Sequence, residues 1–464
     1  MRINPFHASI TCRSWVAVAL MTAAAWCPSA AAAEKPNFVV IFIDDMGYGD
    51  IGPFGSTVNK TPHLDRMAEE GLKLTSFYVA ADCCTPSRAA LMTGCYPKRV
   101  GLARGSWGPV LFPKDEHGLN PDEITIAEVL KDAGYTTGCF GKWHLGDQPE
   151  FLPTRHGFDV YFGIPYSNDM WPLYRRSRQW KNGVCPLPVL RGEEVVDIVE
   201  DMDDQGRLCK RFTDEAIRFV RDNRDKPFFC YLPHAFIHGP RNARQEFRER
   251  AKGDVTRAQI EEVDWSTGQI LDTLRELGLA GKTLVLFTSD NGGTRGSSNK
   301  PLRGSKGQTW EGGMREPTLA WWPGTVPAGS ACDEIATTMD LLPTFAKLGG
   351  GQVPGDRVID GKDISSLLLR PGNAKSPHEA FFYYRLAKLN AVRSGPWKLH
   401  ADGALYNLDE DIGESRNVAA QHPDVVARLG KHLSRCRADL DNPANCRPVG
   451  KNTNPRYLTP KETP

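Results

Sequence analysis

The chain has 464 residues, of which 40% are hydrophobic and 24% are charged, and its formal net charge at pH 7 is +1. This length exceeds the size of a typical single core and predicts two domains. The balanced charge excludes the strongly basic surface that nucleic-acid binding requires, so no nucleic-acid partner is expected.

The first 33 residues are typical of a secretory signal peptide. Arg2 and Arg13 precede an apolar, alanine-rich run between Trp15 and Trp26, and small residues follow up to Ala33. An apolar N-terminal helix of the fold is the alternative. The run is too short to span a bilayer, and no other stretch approaches ~18 consecutive apolar residues, so stable membrane insertion is not expected. We therefore expect an exported protein, periplasmic or extracellular, or in a lysosomal-type compartment of a eukaryote.

Apolar runs and helical patterns alternate along most of the remaining chain. The apolar runs predict strands at residues 37–43, 136–140, 227–232, 283–289 and 318–322. The helical patterns cover residues 125–132, 214–222 and 256–277. This alternation predicts an α/β fold with a large, mostly parallel sheet sandwiched by helices.

Polar residues follow four of these predicted strands. They are Asp44, Asp45, Lys142, His144, His234, His238, Asp290 and Asn291. In parallel sheets the functional site lies beyond the carboxyl ends of the strands. We therefore expect these side chains to gather at one edge of the sheet.

The last part of the chain has a different pattern. Short predicted strands at residues 381–384, 390–393 and 397–400 precede a predicted helix at residues 423–439. We expect a catalytic domain over residues 34–374 and a smaller α+β subdomain with an antiparallel sheet, followed by a loosely ordered tail, over residues 375–464. Cys436 and Cys446 are the best local candidates for a disulfide in an exported protein.

The run Cys84-Thr85-Pro86-Ser87-Arg88, followed at fixed spacing by Thr93-Gly94, is the most informative stretch of the chain. If Pro86 starts a helix, Arg88 can turn back toward residue 84 and hold a hydroxyl there by a charge-assisted bond. The helix N-terminus would add its positive end to an anion site. A buried structural thiol at the start of a helix is the alternative.

A second group of residues suits a metal ion. Asp44, Asp45 and Asp290 supply carboxylates and Asn291 supplies a neutral oxygen, a donor set that favours a hard cation. Carboxylates clustered at strand ends would be costly without a cation between them. Ca²⁺ is the first choice because it tolerates irregular oxygen geometry, and Mg²⁺ is the second. The alternative is that the aspartates only cap a helix and form a turn.

Together these motifs resemble those of the sulfatase family of the alkaline-phosphatase-like superfamily, especially its arylsulfatase-A-like branch. The resemblance covers nearly all of residues 36–415. It rests on the Cys84 run and on the motifs Asp44–Asp50, Gly141–Gly146, Gly163–Asp169, Thr288–Gly292 and Leu302–Gly313.

The resemblance implies an activity and a set of site residues. Cys84 would be oxidised to formylglycine by a formylglycine-generating enzyme, and its hydrate would attack the sulfur of a sulfate ester. The implied cation ligands are Asp44, Asp45, Asp290, Asn291 and the modified Cys84. The residues implied to surround the sulfate are Arg88, Lys142, His144, Ser167, His238 and Lys306.

Each implied role agrees with elementary chemistry. Lys142 and Lys306 can clamp the non-bridging oxygens of the transferring group, where charge is concentrated. His144 is the expected base that takes a proton from the spare hydroxyl, and His238 is the expected acid that protonates the leaving alcohol, with Lys306 as a possible partner. His234 competes with His238 for the role of acid, although His238, next to Gly-Pro, fits the family block better.

A basic and aromatic stretch follows Ser167. Tyr174, Arg175, Arg176 and Arg178 could stack on a sugar ring and bind a further anionic group, or they could form an ordinary exposed loop. The leading hypothesis is an exported sulfatase acting on an aryl or carbohydrate sulfate, either a small molecule or an oligosaccharide. The alternatives are a phosphomonoester or phosphodiester hydrolase on the same scaffold, and an inactive relative that binds sulfated glycans.

Overall fold

The structure, a computed structural model, describes residues 1–2, 35–106, 108–173 and 185–459. Residues Lys35–Pro464 form one compact unit, and Met1–Glu34 is assigned to a separate one. The predicted signal peptide lies outside the described residues, apart from its first two. Within the described ranges, no helix combines the length and apolarity needed to cross a membrane.

An eleven-stranded sheet occupies the centre of the compact unit, in the order β11-β2-β10-β9-β1-β8-β4-β5-β6-β7, with β12 paired to β2. Its strands are β1 (Asn37–Ile43), β2 (Leu72–Tyr78), β4 (Thr136–Lys142), β5 (Val160–Ile164), β6 (Pro188–Arg191), β7 (Glu194–Ile198), β8 (Phe228–Pro233), β9 (Thr283–Ser289), β10 (Arg315–Trp321), β11 (Ser330–Cys332) and β12 (Ala336–Thr337). The short strand β3 (His117–Gly118) lies outside this sheet.

The centre of the sheet is parallel. Strand β1 pairs in parallel with β8 and β9, and β4 pairs in parallel with β5 and β8. Antiparallel pairs lie toward the edges, where β10 joins β9 to β2 and where β6 joins β5 to β7. The predicted α/β fold with a mostly parallel sheet is confirmed.

Helices cover both faces of the sheet. Because side chains alternate along a strand, Val39, Ile41 and Ile43 of β1 enter one core while Phe38 and Val40 enter the other. The first core contains α1 (Pro62–Glu70), α4 (Met202–Asp222) and α6 (Val255–Glu276). The second contains α2 (Cys84–Thr93), α3 (Ile126–Asp132), α8 (Leu341–Gly349) and α9 (Ser365–Leu369). Two shorter helices are α5 (Gln245–Arg250) and α7 (Glu311–Met314).

Most predicted elements are present, and the differences have local causes. Helix α4 begins well before the predicted residue 214, because Asp201 caps it by accepting the backbone N–H of Asp204. The strand predicted at residues 318–322 is β10, which runs antiparallel to its neighbours. Helix α2 begins at Cys84 itself, so Pro86 is its third residue.

The smaller antiparallel sheet contains β13 (Phe381–Arg385), β14 (Lys388–Ser394), β15 (Trp397–His400) and β16 (Leu405–Asn407). It shares a core with α10 (Pro423–Leu440). This α+β arrangement agrees with the predicted subdomain. The predicted boundary between residues 374 and 375 stays a prediction, since both sheets belong to the same compact unit.

One expectation about the end of the chain was wrong. Cys436 and Cys446 are unpaired, as are the other cysteines of the described ranges, and Cys436 instead contacts the Tyr384 hydroxyl at 3.2 Å. The start of the tail forms β17 (Gly450–Lys451), which pairs with β3. The loosely ordered tail stays a prediction, because residues 460–464 lie outside the described residues.

Candidate active site

The candidate site lies at the carboxyl edge of the central parallel strands. The chain leaving β1 stays bonded to its neighbours, because Asp44 N–H donates to the Phe236 carbonyl at 2.8 Å and the Asp44 carbonyl accepts from Ile237 at 2.7 Å. On the other side, Asp290 N–H donates to the Ile43 carbonyl at 2.8 Å. These hydrogen bonds hold the ends of the neighbouring strands together, so the predicted side chains lie close to one another.

Cys84 is the first residue of α2 and is buried. Its Sγ lies 3.3 Å from Asp44 Oδ1, 3.2 Å from Lys306 Nζ and 3.7 Å from Asn291 Oδ1. Burial and the charges of Asp290 and Asp44 raise the pKa of the Cys84 thiol well above its usual value. The encoded side chain is therefore a protonated thiol, which is a poor nucleophile and a poor metal ligand.

Two buried carboxylates next to Cys84 are paired with lysines. Asp44 Oδ2 accepts from Lys142 Nζ at 2.5 Å, and Asp45 Oδ1 accepts from Lys306 Nζ at 2.5 Å. Burial alone would raise the pKa of Asp44, but the nearby cations, Lys142 first among them, hold it well below its usual value. Both Asp44 and its lysine are charged at neutral pH.

A third buried carboxylate pairs with an arginine. The Arg88 guanidinium donates to Asp290 Oδ2 from Nε at 3.2 Å and from Nη2 at 2.8 Å, and Nη1 donates to the Lys142 carbonyl at 2.8 Å. Burial and the charge of Asp44 raise the pKa of Asp290. The three carboxylates at the strand ends are thus matched by three cations of the chain, which offset part of the predicted cost of clustering them.

The donor atoms nevertheless suit a hard cation. One ligand atom each from Asp44, Asp45, Cys84 and His238 lie within 4.8 Å of one another. Asn291 adjoins this group, with Nδ2 donating to Asp45 Oδ1 at 2.8 Å. Asp45 has a φ of 64°, a left-handed conformation that aspartate tolerates better than most residues. Asp44, Asp45 and Asn291 supply oxygens, which prefer Ca²⁺ or Mg²⁺. The predicted ligand Asp290 is not part of the group, and its Oδ2 accepts from Arg88.

His144 is buried behind the cluster. Its Nε2 lies 2.9 Å from the Leu111 carbonyl, which can only accept, so Nε2 carries the proton and Nδ1 is a bare acceptor. Nδ1 is buried and has no hydrogen-bond partner among the described residues. Burial, together with the charges of Lys142 and Arg88, lowers the pKa of His144 well below its usual value. The ring is neutral and has one free basic nitrogen.

The structure separates the two competing histidines. His238 is partly exposed, and its Nε2 lies 3.7 Å from Asp45 Oδ2, while its Nδ1 donates to the Gly239 carbonyl at 2.6 Å. His234 is fully buried, with Nε2 at 3.0 Å from Ser266 Oγ, and burial lowers its pKa to about 3. Only His238 of the two belongs to the group of candidate metal-binding side chains.

Ser167 lies beside the lysine of β4. Its hydroxyl accepts from Lys142 Nζ at 3.1 Å, and its side chain is buried. The predicted aromatic and basic residues that follow, Tyr174, Arg175, Arg176 and Arg178, lie outside the described residues.

The sequence did not reveal the hydrogen bonds of Thr85 that hold the His144 backbone in place. Thr85 Oγ1 donates to the His144 carbonyl at 3.0 Å and accepts from Leu111 N–H at 3.1 Å. Thr85 occupies the variable position of the Cys84 run, and Leu111 acts through its backbone. Neither therefore carries a signal that a side-chain pattern could have revealed.

The chain matches the sulfatase family over residues 36–351. It is 38% identical to arylsulfatase A of Homo sapiens over 462 residues, which cover 89% of this chain and 89% of that protein. It is also 38% identical to N-acetylgalactosamine-6-sulfatase of Sus scrofa over 386 residues, which cover 80% of this chain and 72% of that protein.

The fold is similar to that of a solved structure described as Ps i-CgsB in complex with k-i-k-neocarrahexaose. The TM-score is 0.78 at 28% sequence identity, and the match covers 90% of this chain and 96% of that chain. This similarity agrees with the alkaline-phosphatase-like fold that the motifs predicted.

Proposed function

Because this chain belongs to the sulfatase family, a family of sulfuric ester hydrolases, we propose that it is an exported enzyme that cleaves sulfate monoesters. In this proposal residue 84 supplies the attacking oxygen. One observation carries the proposal. Cys84 stands at the N-terminus of α2, with its Sγ within 3.7 Å of an aspartate, an asparagine and a lysine. An anion placed there meets the positive end of the helix as well as Lys306.

The protonation of Cys84 supports its conversion to formylglycine. A buried, protonated thiol is inert, whereas a hydrated aldehyde supplies one hydroxyl to attack sulfur and a second that allows sulfate to be expelled later. This maturation requires a formylglycine-generating enzyme in the host.

A divalent cation fits among the same residues. Asp44, Asp45, Asp290, Asn291 and residue 84 would hold it, with Ca²⁺ preferred over Mg²⁺ because Ca²⁺ tolerates irregular oxygen geometry. When bound, the cation polarises the sulfate oxygens and favours ionisation of an oxygen ligand. Since the carboxylates and cations of the chain already balance, a bound cation leaves the site with excess positive charge, which favours an anionic ester.

The chain's own side chains then have distinct tasks. Lys142 and Lys306 lie on two sides of Asp44 and Cys84, where they can bind the non-bridging sulfate oxygens with help from Ser167. Arg88 holds Asp290 and the carbonyl of Lys142 in position.

Two histidines provide proton transfer. His144 has a free basic Nδ1 and suits the base that takes a proton from the spare hydroxyl at residue 84. His238, which is partly exposed at the rim, suits the acid that protonates the leaving oxygen.

The substrate class follows from the relatives. Their names specify an aryl sulfate, an N-acetylgalactosamine 6-sulfate and a neocarrahexaose. We propose a sulfate ester of an aryl or carbohydrate alcohol, small or oligomeric, as the substrate.

The first test uses the protein co-expressed with a formylglycine-generating enzyme. Mass spectrometry of the peptide containing residue 84 should show the aldehyde, and the protein should release sulfate from 4-nitrocatechol sulfate faster than it releases phosphate from 4-nitrophenyl phosphate. Cys84→Ala should lower turnover by at least about a thousandfold without changing thermal unfolding, because it removes the attacking oxygen. Cys446→Ala is the matched control and should retain full activity.

Other outcomes would contradict the proposal in recognisable ways. Faster phosphate release would identify a phosphoester hydrolase on this scaffold. Binding of sulfated ligand without turnover, in protein that contains formylglycine, would identify an inactive glycan-binding relative. Normal turnover by Cys84→Ala would exclude residue 84 as the nucleophile.

A further inference from the structure

Arg385, on the antiparallel sheet of the C-terminal region, is a cationic side chain next to the candidate site. Strand β13 ends at Arg385, and a tight turn through Leu386 leads into β14 at Lys388, which pairs with Arg385. Arg385 lies far from every sequence motif of the site, more than seventy residues after Lys306. Only the fold brings it near Asp82 and Gly307, which neighbour Cys84 and Lys306 in the chain.

Arg385 lies where two segments of the site meet. Its Nε is 3.8 Å from Asp82 Oδ2, two residues before Cys84. Its Nη2 is 3.9 Å from the position that a Cβ would occupy on Gly307, the residue after Lys306. These two segments touch each other, since Gly307 N–H donates to the Asp82 carbonyl at 3.0 Å.

The base of the hairpin is firmly anchored. Tyr383 in β13 donates to buried Glu311 Oε1 at 2.6 Å, and Asn390 in β14 donates to Thr309 Oγ1 at 3.4 Å. Both partners follow Lys306 closely in the chain. These hydrogen bonds therefore tie the hairpin to the segment that follows Lys306.

The head of Arg385 is free to bind a ligand. Its side chain is 54% exposed, and within the described residues its one charged partner is Asp82, at a distance too long for a hydrogen bond. Asp82 faces the Nε edge, so the N–H groups of the two terminal nitrogens remain available. A guanidinium presents these groups as a planar fork that matches the geometry of an oxyanion.

We infer that Arg385 is a specificity residue that binds a second oxyanion of the substrate, a sulfate or a carboxylate carried near the scissile ester. The preferred substrate is then a saccharide with at least two anionic groups. This inference rests on the proposed function, because it assigns a substrate class to the same site.

Competition experiments with the matured protein test the inference. The probe reaction is hydrolysis of 4-nitrocatechol sulfate, and the competitors are N-acetylgalactosamine 6-sulfate, its 4,6-disulfate, and a disaccharide of the 6-sulfate with glucuronate. Inhibition constants are measured whether or not a competitor is itself cleaved. In the wild type, at least one doubly anionic competitor should bind tenfold or more tightly than the monosulfate.

The Arg385→Gln variant should reduce that preference to twofold or less. A loss confined to the disulfate identifies a sulfate as the second group, and a loss confined to the glucuronate identifies a carboxylate. Arg416→Gln is the matched control, because it removes one exposed arginine charge from the same region, and it should retain the preference.

The failures are distinguishable. A matured wild type without activity on 4-nitrocatechol sulfate overturns the proposed function and this inference with it. If the wild type is active but binds neither doubly anionic competitor more tightly than the monosulfate, only the inference is overturned. This includes the case in which neither of these competitors inhibits the wild type. The same holds if Arg385→Gln keeps the wild-type preference.

Discussion

At the scale of single residues, the environment of each histidine separates their tasks. His238 faces Asp45 from the partly exposed rim, whereas His234 is buried against Ser266. A leaving-group acid must reach the departing oxygen, and only the rim position allows this. The low pKa of His234, about 3 because of its burial, keeps that ring neutral at working pH.

This difference predicts a dependence on the leaving group. His238→Gln should lower kcat on a sugar sulfate by about 10²–10⁴, because an alkoxide needs a proton to leave. The same change should lower kcat on 4-nitrophenyl sulfate much less, because a nitrophenolate leaves without help. His234→Gln should lower the thermal unfolding temperature and reduce both rates equally. A loss in the His234 variant that depends on the leaving group would reverse the assignment.

At the scale of elements, a buried carboxylate joins two helices on one face of the sheet. Asp264 of α6 accepts from Leu64 N–H at 2.8 Å and His63 N–H at 3.3 Å, and so satisfies free amides at the start of α1. Burial raises the pKa of Asp264 to about 7, above its ordinary value of 3.8. Between these pH values the folded state holds a proton that the unfolded state has lost.

Stability should therefore fall as pH rises from about 4 to about 7, because unfolding releases this proton throughout that window and a higher pH favours its release. The contribution of Asp264 to this fall is at most about 4 kcal/mol, from about three pKa units at 1.36 kcal/mol each. In Asp264→Asn the free energy of unfolding should change less with pH over this window, as measured by urea denaturation. Asp272→Asn, on the same helix but only partly buried, should keep the wild-type slope.

At the scale of the whole molecule, a buried ionic network joins the antiparallel sheet to Glu311 at the start of α7. Lys398 Nζ of β15 contacts Glu311 Oε1 at 3.0 Å and Glu414 Oε1 at 2.8 Å, and all three side chains are fully buried. Burial alone would raise the pKa of Glu311, but Lys398, Arg393 and Arg315 outweigh burial and lower it. Glu311 is therefore ionised and depends on its cations.

Lys398→Met should destabilise the protein by about 3–5 kcal/mol, because it leaves buried carboxylates with less compensating charge. Denaturant unfolding measures the change. Lys375→Met is the control, since Lys375 is 89% exposed in its pair with Glu334, and such surface pairs contribute little to stability. Equal effects of the two substitutions would show that the network does not hold the sheet in place.

Much of this molecule could be predicted from local patterns. Strands β1 and β9 have the predicted bounds, because continuous apolar runs mark strands buried on both faces. The residues after β1, β4 and β9 meet because parallel strands end at the same edge of a sheet. Elements with mixed surfaces were harder to predict. The first turns of α4 are polar, so the pattern did not indicate where the helix begins, and no pattern in β10 indicates that it runs antiparallel.

The sequence by itself determined the family, the α/β architecture and the cluster around Cys84, because short motifs and strand periodicity encode them locally. Only the tertiary structure decided that Lys142, Lys306 and Arg88 balance the carboxylates, that His238 rather than His234 faces Asp45, and that Arg385 lies beside Asp82, just before Cys84. These are contacts between residues far apart in the chain. Their partners are chosen by packing, which no local pattern records.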